Sequence, residues 1–453
     1  MNYKEKITGY EFILSETQFI TSQGKEFFLS ENYSCEELNI QYENQEIFLN
    51  FVRKNPEKTD SLKNYLMYIK NIKNTTEKIY YSHMLDDTEL FEIKEFCYYS
   101  GKIRELIYDE MKFISPHNLE DVYKLLDPDG NGINTFYIFD SYDQELSEIR
   151  KQIRKKPDDE NLKLKETEKE NEIREKITKK LKTEYLNIAE SFSKISYIDV
   201  LQAKTFLALK YELTKPVFSQ NSDIIDIKKF FNPEIKDNLE KSGKKYQKTD
   251  ICIKKGVTLF TGANMTGKTV VLKTLYLIDK MIKKAFFVPA GKCIFPFFEN
   301  SFLITGDEQN YLKGLSSFAA EMKEINEILK HKAEEKNLIL LDEIGRTTNP
   351  TEGKAIVHAV ASLLNESDSF SLITTHFDAE NIKEFAKITV KGIKEDAENT
   401  ENIENIIDYS IIKDNGLTDK KQAVKIMKIM NLDKNLIEYT VNYLKGGKNN
   451  YEQ

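Results

Sequence analysis

The sequence predicts a mainly helical first half, then an α/β domain built on a parallel sheet, then a small helical segment. Three observations carry this. The first half is poor in glycine and shows apolar residues at three-to-four spacing. From Asp250 onward, short apolar runs ending in glycine or an acid alternate with helical stretches. From Ile406 to Leu444 the pattern reads as two or three amphipathic helices.

Composition narrows the function classes. With 453 residues, 40% hydrophobic and 31% charged, the chain suits a folded protein of two to four domains at about 150 residues each. Lys and Arg total 66 against 74 Asp and Glu, a net charge of −8, which disfavours a broad basic surface for nucleic acid. No apolar run is long enough to cross a bilayer, and the opening MNYKEKITG lacks a signal-peptide core. A cytoplasmic protein with no membrane partner is expected. Cys35, Cys97, Cys252 and Cys293 form no Cys-x-x-Cys pair, which argues against zinc, iron–sulfur or redox chemistry. Each reads as a buried small apolar residue.

Taken in order, residues 1–224 read as a helical domain. Leu90, Ile93, Phe96, Cys97 and Ile103 recur at helical spacing behind Asp86, Asp87 and Thr88, which suit a helix start. Asp127-Pro128-Asp129-Gly130-Asn131-Gly132 is dense turn chemistry, and Phe136–Phe139 reads as a short strand or buried turn. A calcium loop opening at Asp127 would need Glu at its twelfth place, where Ile138 stands, so a plain turn is expected. Residues 150–185 form a charged arm. Lys151–Glu184 holds twelve basic and nine acidic side chains, and reads as two solvated helices with few core positions. Ile195–Leu209 returns to an apolar helix.

The chemistry sits in the α/β part, assigned to residues 225–400. Gly262-Ala263-Asn264-Met265-Thr266-Gly267-Lys268-Thr269 fits G-x-x-x-x-G-K-[ST], follows the apolar run Val257–Phe260 and precedes a helical pattern. Such a loop turns backbone N–H groups toward phosphates at a helix N-terminus. Lys268 then supplies a point charge to the β/γ oxygens, and Thr269 a hydroxyl for Mg²⁺. Leu338–Leu341 reads as a buried strand presenting Asp342 and Glu343 at its carboxyl end. Asp342 is expected to hold Mg²⁺, and Glu343 to polarise the attacking water as general base. Phe370–His376 is a further strand ending in polar residues, with His376 a candidate γ-phosphate sensor.

These residues carry a resemblance. Thr261–Thr269 (TGANMTGKT) is similar to the TGPNMGGKS loop of the MutS family of ATPases. Phe287–Ala290 (FVPA), Gly314–Met322 (GLSSFAAEM), Asp342–Arg346 (DEIGR) and Thr375-His376 match further family motifs in the same order over roughly 120 residues. Weaker likeness reaches Asp127–Arg150, Ile195–Leu201 and Asn232-Pro233. The resemblance implies an α/β P-loop NTPase domain, MutS/ABC-like, after an N-terminal mainly helical lever/clamp scaffold. It also implies a small C-terminal helical dimerisation segment over residues 401–453. The implied cofactors are ATP and Mg²⁺. The site is composite: in a homo- or heterodimer of MutS-like subunits, Ser316 would enter the partner's nucleotide pocket, and Asn264 would contact phosphate-side groups.

The chain departs from the family at Ala263, Thr266 and Thr269 in the loop, and at Thr347 and Asn349-Pro350 after the acids. No counterpart of the family's mismatch-reading domain or of its endonuclease appendage is recognised. Short MutS-like chains of this kind resemble a group associated with adenosylcobalamin-dependent aminomutases, especially lysine 5,6-aminomutase, whose damaged cobalamin they release. A protein client of that class is therefore expected, and a DNA clamp for repair or recombination is the alternative. Arg154, Lys155 and Lys156 are the arm's densest cations, but Asp158, Asp159 and Glu160 dilute them.

Overall fold

The computed structural model describes residues 3–219, 222–262, 266–305, 317–331, 336–377, 384–394, 407–414, 424, 427–428 and 432–446. They fall into two compact units, one of residues 17–32 and 40–207, the other of residues 1–16, 33–39 and 208–453.

Helices fill the chain up to residue 211: α1 (Tyr3–Thr8), α2 (Tyr10–Glu16), α3 (Ser22–Ser30), α4 (Cys35–Lys54), α5 (Pro56–Tyr68), α6 (Lys73–Tyr81), α7 (Asp87–Ile107), α8 (Glu120–Leu126), α9 (Gln144–Lys155), α10 (Glu160–Thr183) and α11 (Tyr185–Tyr211). Helix α7 starts where the acids predict. Asp86 caps the Glu89 N–H while the Glu89 side chain returns to the Asp86 N–H, a capping box that satisfies two otherwise orphaned donors. The first unit is organised round one apolar core that includes Phe48, Phe51, Phe96 and Ile198. Gly24 is fixed by close approach. A Cβ there would lie 2.3 Å from Asp199 Oδ2, and Asp199 accepts from the N–H and hydroxyl of Thr21.

The Asp127 turn forms without a metal-loop geometry. Asp127 is buried, pairs with Lys94 at 3.0 Å and accepts from the Gly132 N–H at 2.9 Å, so its carboxylate is used internally. Phe136–Phe139 is irregular rather than a strand, but Phe136, Ile138 and Phe139 are buried, so the buried-turn alternative is the observed one.

The charged arm departs from expectation. It does form two helices, α9 and α10, but the second half of α10 is part of the core. Ile173, Ile177, Thr178 and Leu181 are buried there, and Thr178 Oγ1 accepts from the Leu85 N–H at 3.2 Å. The four sit at i, i+4, i+5 and i+8, a narrow apolar stripe that the surrounding charge hid in the sequence. The hairpin is cross-tied by Arg150, which bonds Asp140 (2.6 Å), Glu166 (2.8 Å) and Glu170 (2.6 Å).

The second unit holds two sheets. Strands β1 (Val217–Ser219), β2 (Ile224–Phe230), β3 (Thr249–Lys254) and β5 (Lys292–Pro296) make one, in the order β1-β5-β2-β3. Strands β4 (Gly256–Thr261), β6 (Asn300–Ile304), β7 (Asn337–Leu341), β8 (Phe370–Thr374), β9 (Ala386–Ile393) and β10 (Ile407–Lys413) make the other, ordered β10-β9-β4-β8-β7-β6. Neighbours from β9 to β6 are parallel. All residues of β7 and β8 are buried, as a sheet covered on both faces requires. Between strands lie α12 (Pro233–Lys241), α13 (Lys268–Lys283), α14 (Ser317–His331) and α15 (Pro350–Asn365), and α16 (Lys434–Gly446) follows the sheet.

Two expectations are corrected here. Residues 407–413 form the antiparallel edge strand β10 against β9, not the start of a helical tail. Ile407, Tyr409 and Ile411 alternate with Asp408 and Ser410, a two-residue period that a helical reading passed over. Of that tail, α16 is the long helix among the described residues. Second, the cysteines are not uniformly buried. Cys97 and Cys293 are, but Cys35 is half-buried and Cys252 is exposed. Cys252 lies on the outer face of β3, where Ile251 and Ile253 take the inner one. Among the described residues no helix is long and apolar enough to cross a membrane.

Candidate active site

Strand β4 ends at Thr261 and α13 begins at Lys268, so the loop between them stands at the carboxyl edge of the parallel sheet, where open α/β sheets bind ligands. Gly262 (φ +125°) and Gly267 (φ +83°) take left-handed backbone that a side chain would strain. Gly267 is the N-cap of α13, and the first side chain of that helix is Lys268. Lys268 is buried, and its ammonium donates to the Gly262 carbonyl at 2.6 Å and stands 3.9 Å from Glu343 Oε1. Burial lowers its pKa, with Glu343 and Asp342 pulling the other way.

The two acids follow β7. Thr269 Oγ1 donates to Asp342 Oδ2 at 2.7 Å, and Thr374 Oγ1 donates to Asp342 Oδ1 at 2.6 Å. Glu343 has φ +48°, a conformation that costs a non-glycine residue about 1–2 kcal/mol. Its N–H donates to Thr374 Oγ1 at 2.8 Å, and Arg346 reaches its carboxylate at 3.5 Å. The hydroxyl of Thr269 and the carboxylate of Asp342 are hard oxygen donors facing each other beside a cation, a donor set that fits magnesium with substrate phosphates.

Around this centre the backbone is tightly packed. Glu321, on α14, accepts from the Gly345 N–H at 3.3 Å, and burial raises its pKa against that bond. A Cβ on Gly353 of α15 would meet Phe377 Cζ at 2.5 Å and the Gly345 carbonyl at 2.7 Å, so the helix seats directly on the turn after the acids. On the other side of the loop, the Tyr409 ring of β10 lies 3.4 Å from where a side chain on Gly267 would begin.

Comparison with known proteins agrees with this arrangement. Residues 258–446 match MutS domain V. This region is therefore similar to a MutS-type ATPase domain. Endonuclease MutS2 of Caldicellulosiruptor saccharolyticus is 33% identical over 294 residues, covering 62% of this chain and 35% of that protein. DNA mismatch repair protein MutS of Thermotoga maritima is 32% identical over 265 residues, 57% of this chain and 31% of its own length. Endonuclease MutS2 of Thermus thermophilus is 31% identical over 226 residues, 50% of this chain and 29% of its own. The matched part thus spans about a third of the length of these relatives.

Within the matched region the fold brings Lys268, Thr269, Asp342 and Glu343 together, with Gly262, Thr266 and Gly267 in the loop. His376 is exposed two residues beyond β8, its ring against Phe377 with centroids 4.3 Å apart. Ala263, Asn264, Met265 and Ser316 lie outside the described residues. Reading the sequence gave no role to Thr374, Glu321, Gly353 or Tyr409. Thr374 is a β-branched residue ending an apolar strand, so it looks like strand propensity alone. Glu321 stood inside a quoted motif without a partner, because its partner is a backbone N–H.

Proposed function

We propose that this chain hydrolyses ATP to ADP and phosphate in a dimer, and uses the cycle to remodel a bound macromolecule. The carrying observation is the convergence of Lys268, Thr269, Asp342 and Glu343 on one edge of the parallel sheet. Magnesium, held between Thr269 and Asp342, would neutralise charge on the β and γ phosphates. Lys268 binds those oxygens, and Glu343 orients water and takes its proton. His376 reads the γ-phosphate, and Ser316 from a second subunit completes the pocket. Concentration dependence tests the composite site: hydrolysis per chain should rise with protein concentration, and a constant value down to strictly monomeric dilution would sink it.

For the client, we infer an enzyme, with release of damaged cobalamin from an adenosylcobalamin-dependent aminomutase as the specific case. The state of the hairpin supports a client other than duplex DNA. Arg150, Lys169 and Arg174 are each committed to two or three acids, and the exposed Arg154, Lys155 and Lys156 are followed by Asp158, Asp159 and Glu160, which lowers the local potential for phosphates. DNA is the second reading, and the names of the relatives favour it: the proteins matched at 31–33% identity are called endonuclease MutS2 or DNA mismatch repair protein MutS. Capture with the Glu343→Gln protein held in ATP separates the two. An aminomutase retained by this variant, and reactivated by the wild-type protein with ATP, supports the first, and salt-sensitive retention of branched or mismatched DNA replaces it.

A further inference from the structure

Thr374 is fully buried at the end of β8. The parallel register that pairs Leu341 with Ile373 brings position 374 alongside Asp342. On the other flank Thr374 pairs with Phe260, the residue before the phosphate loop leaves β4. Its single hydroxyl therefore sits between the strands that deliver the loop and the acids.

A hydroxyl has one proton to give. Thr374 gives it to Asp342 Oδ1 at 2.6 Å, and takes the Glu343 N–H on its own oxygen at 2.8 Å. The other oxygen of Asp342, Oδ2, receives Thr269 Oγ1 at 2.7 Å. The two carboxylate oxygens are thus held from different places. One is tied to a buried strand, the other to the start of α13 in the phosphate loop. Opening a place for a cation between Thr269 and Asp342 needs only the second bond to be given up.

We propose that Thr374 is a positioning residue: it fixes which oxygen of Asp342 faces the cation, and it pins Glu343 in its left-handed conformation. This rests on the roles given above to Asp342 and Glu343. It adds that their geometry is imposed by one hydroxyl on the central strand. Partners that orient a ligating carboxylate typically change metal affinity or activity by about 10–100-fold when removed.

Thr374→Val keeps the shape and deletes the hydroxyl, while Thr374→Ser keeps the hydroxyl. Two readouts are taken on the full chain: Mn²⁺ half-saturation with ADP by electron paramagnetic resonance, and the steady-state rate of ATP hydrolysis. Thr374→Val should raise the Mn²⁺ half-saturation about tenfold or more and lower kcat by a similar factor. Cation-free ADP binding should stay unchanged, and Thr374→Ser should restore both values. Should the Val protein not fold, Thr374→Ala carries the same expectation. Unchanged Mn²⁺ half-saturation and kcat in the hydroxyl-free variant overturn the proposal. So does a Ser variant as impaired as Val, since that would mark a packing role. Wild-type protein that binds no Mn²⁺–ADP breaks the reading of the site itself, a distinguishable failure.

Discussion

The candidate phosphate-binding edge and the α9–α10 hairpin are both rich in charge, and they treat it in opposite ways. In the hairpin, the half-buried arginines are matched to acids at contact distance: Arg150 to Asp140, Glu166 and Glu170, and Arg174 to Asp87 and Glu170. At the edge, Lys268 is buried with Glu343 3.9 Å away, and Glu343 itself is held in strained backbone. Matched charge builds structure, since it satisfies itself in solvent. Charge buried beside two acids at a sheet edge is costly to desolvate and its titration is perturbed, which marks a candidate binding place.

Five substitutions, in four tests, would break or sharpen this contrast. The largest effect is expected for Lys268→Met, which should reduce ATP hydrolysis by about 10²–10³-fold, the usual loss for one donor aimed at developing charge. Hydrolysis at the wild-type rate would mean that the ammonium does not serve the phosphates. Next, Gly353→Val forces a side chain into Phe377 and Gly345, and Gly24→Ala forces one into Asp199. Each should destabilise by about 1–3 kcal/mol in denaturant melts. Only the first should also slow hydrolysis, because only it moves the turn after Asp342 and Glu343.

Arg150→Ala comes third. Its guanidinium is mostly buried and bonds three acids, so a loss of about 1–2 kcal/mol is expected, with hydrolysis unaltered. A drop in hydrolysis at unchanged stability would tie the hairpin to the nucleotide cycle. The smallest effect concerns Asp408 on β10. Burial pushes its carboxyl up, but bonds from Ser410, Gln247 and Lys391 outweigh that and hold it well below the usual range. A carboxyl depressed on folding contributes stability above its unfolded value and loses it as pH falls through the folded one. The stability gap between wild type and Asp408→Asn should therefore shrink as pH falls below about 4.

Much of the site was legible before the fold. The loop Gly262–Thr269, the acids Asp342 and Glu343, and the strands on which they sit obey spacing rules that act within a few residues, so local sequence contains them. Helix α7 was legible for the same reason, since its capping box spans four residues, Asp86 to Glu89. The misreadings share an opposite cause. The core stripe of α10 and the strand β10 each depend on a partner outside the segment itself, α6 and the Leu85 turn for one and β9 for the other. Cys252 was misplaced because a cysteine's burial follows the face of its strand, which pairing decides.

What the sequence determined by itself is the identity of the candidate reacting groups and the strand–loop–helix unit that holds Lys268 and Thr269, because short-range backbone geometry and residue chemistry suffice for both. What only the tertiary structure decided is how those groups are aimed. Thr374 meets Asp342 and Glu343 across 32 and 31 positions of chain, and Glu321 meets Gly345 across 24. Such contacts follow from strand order and helix seating, and these are set by burying whole faces rather than by any local pattern.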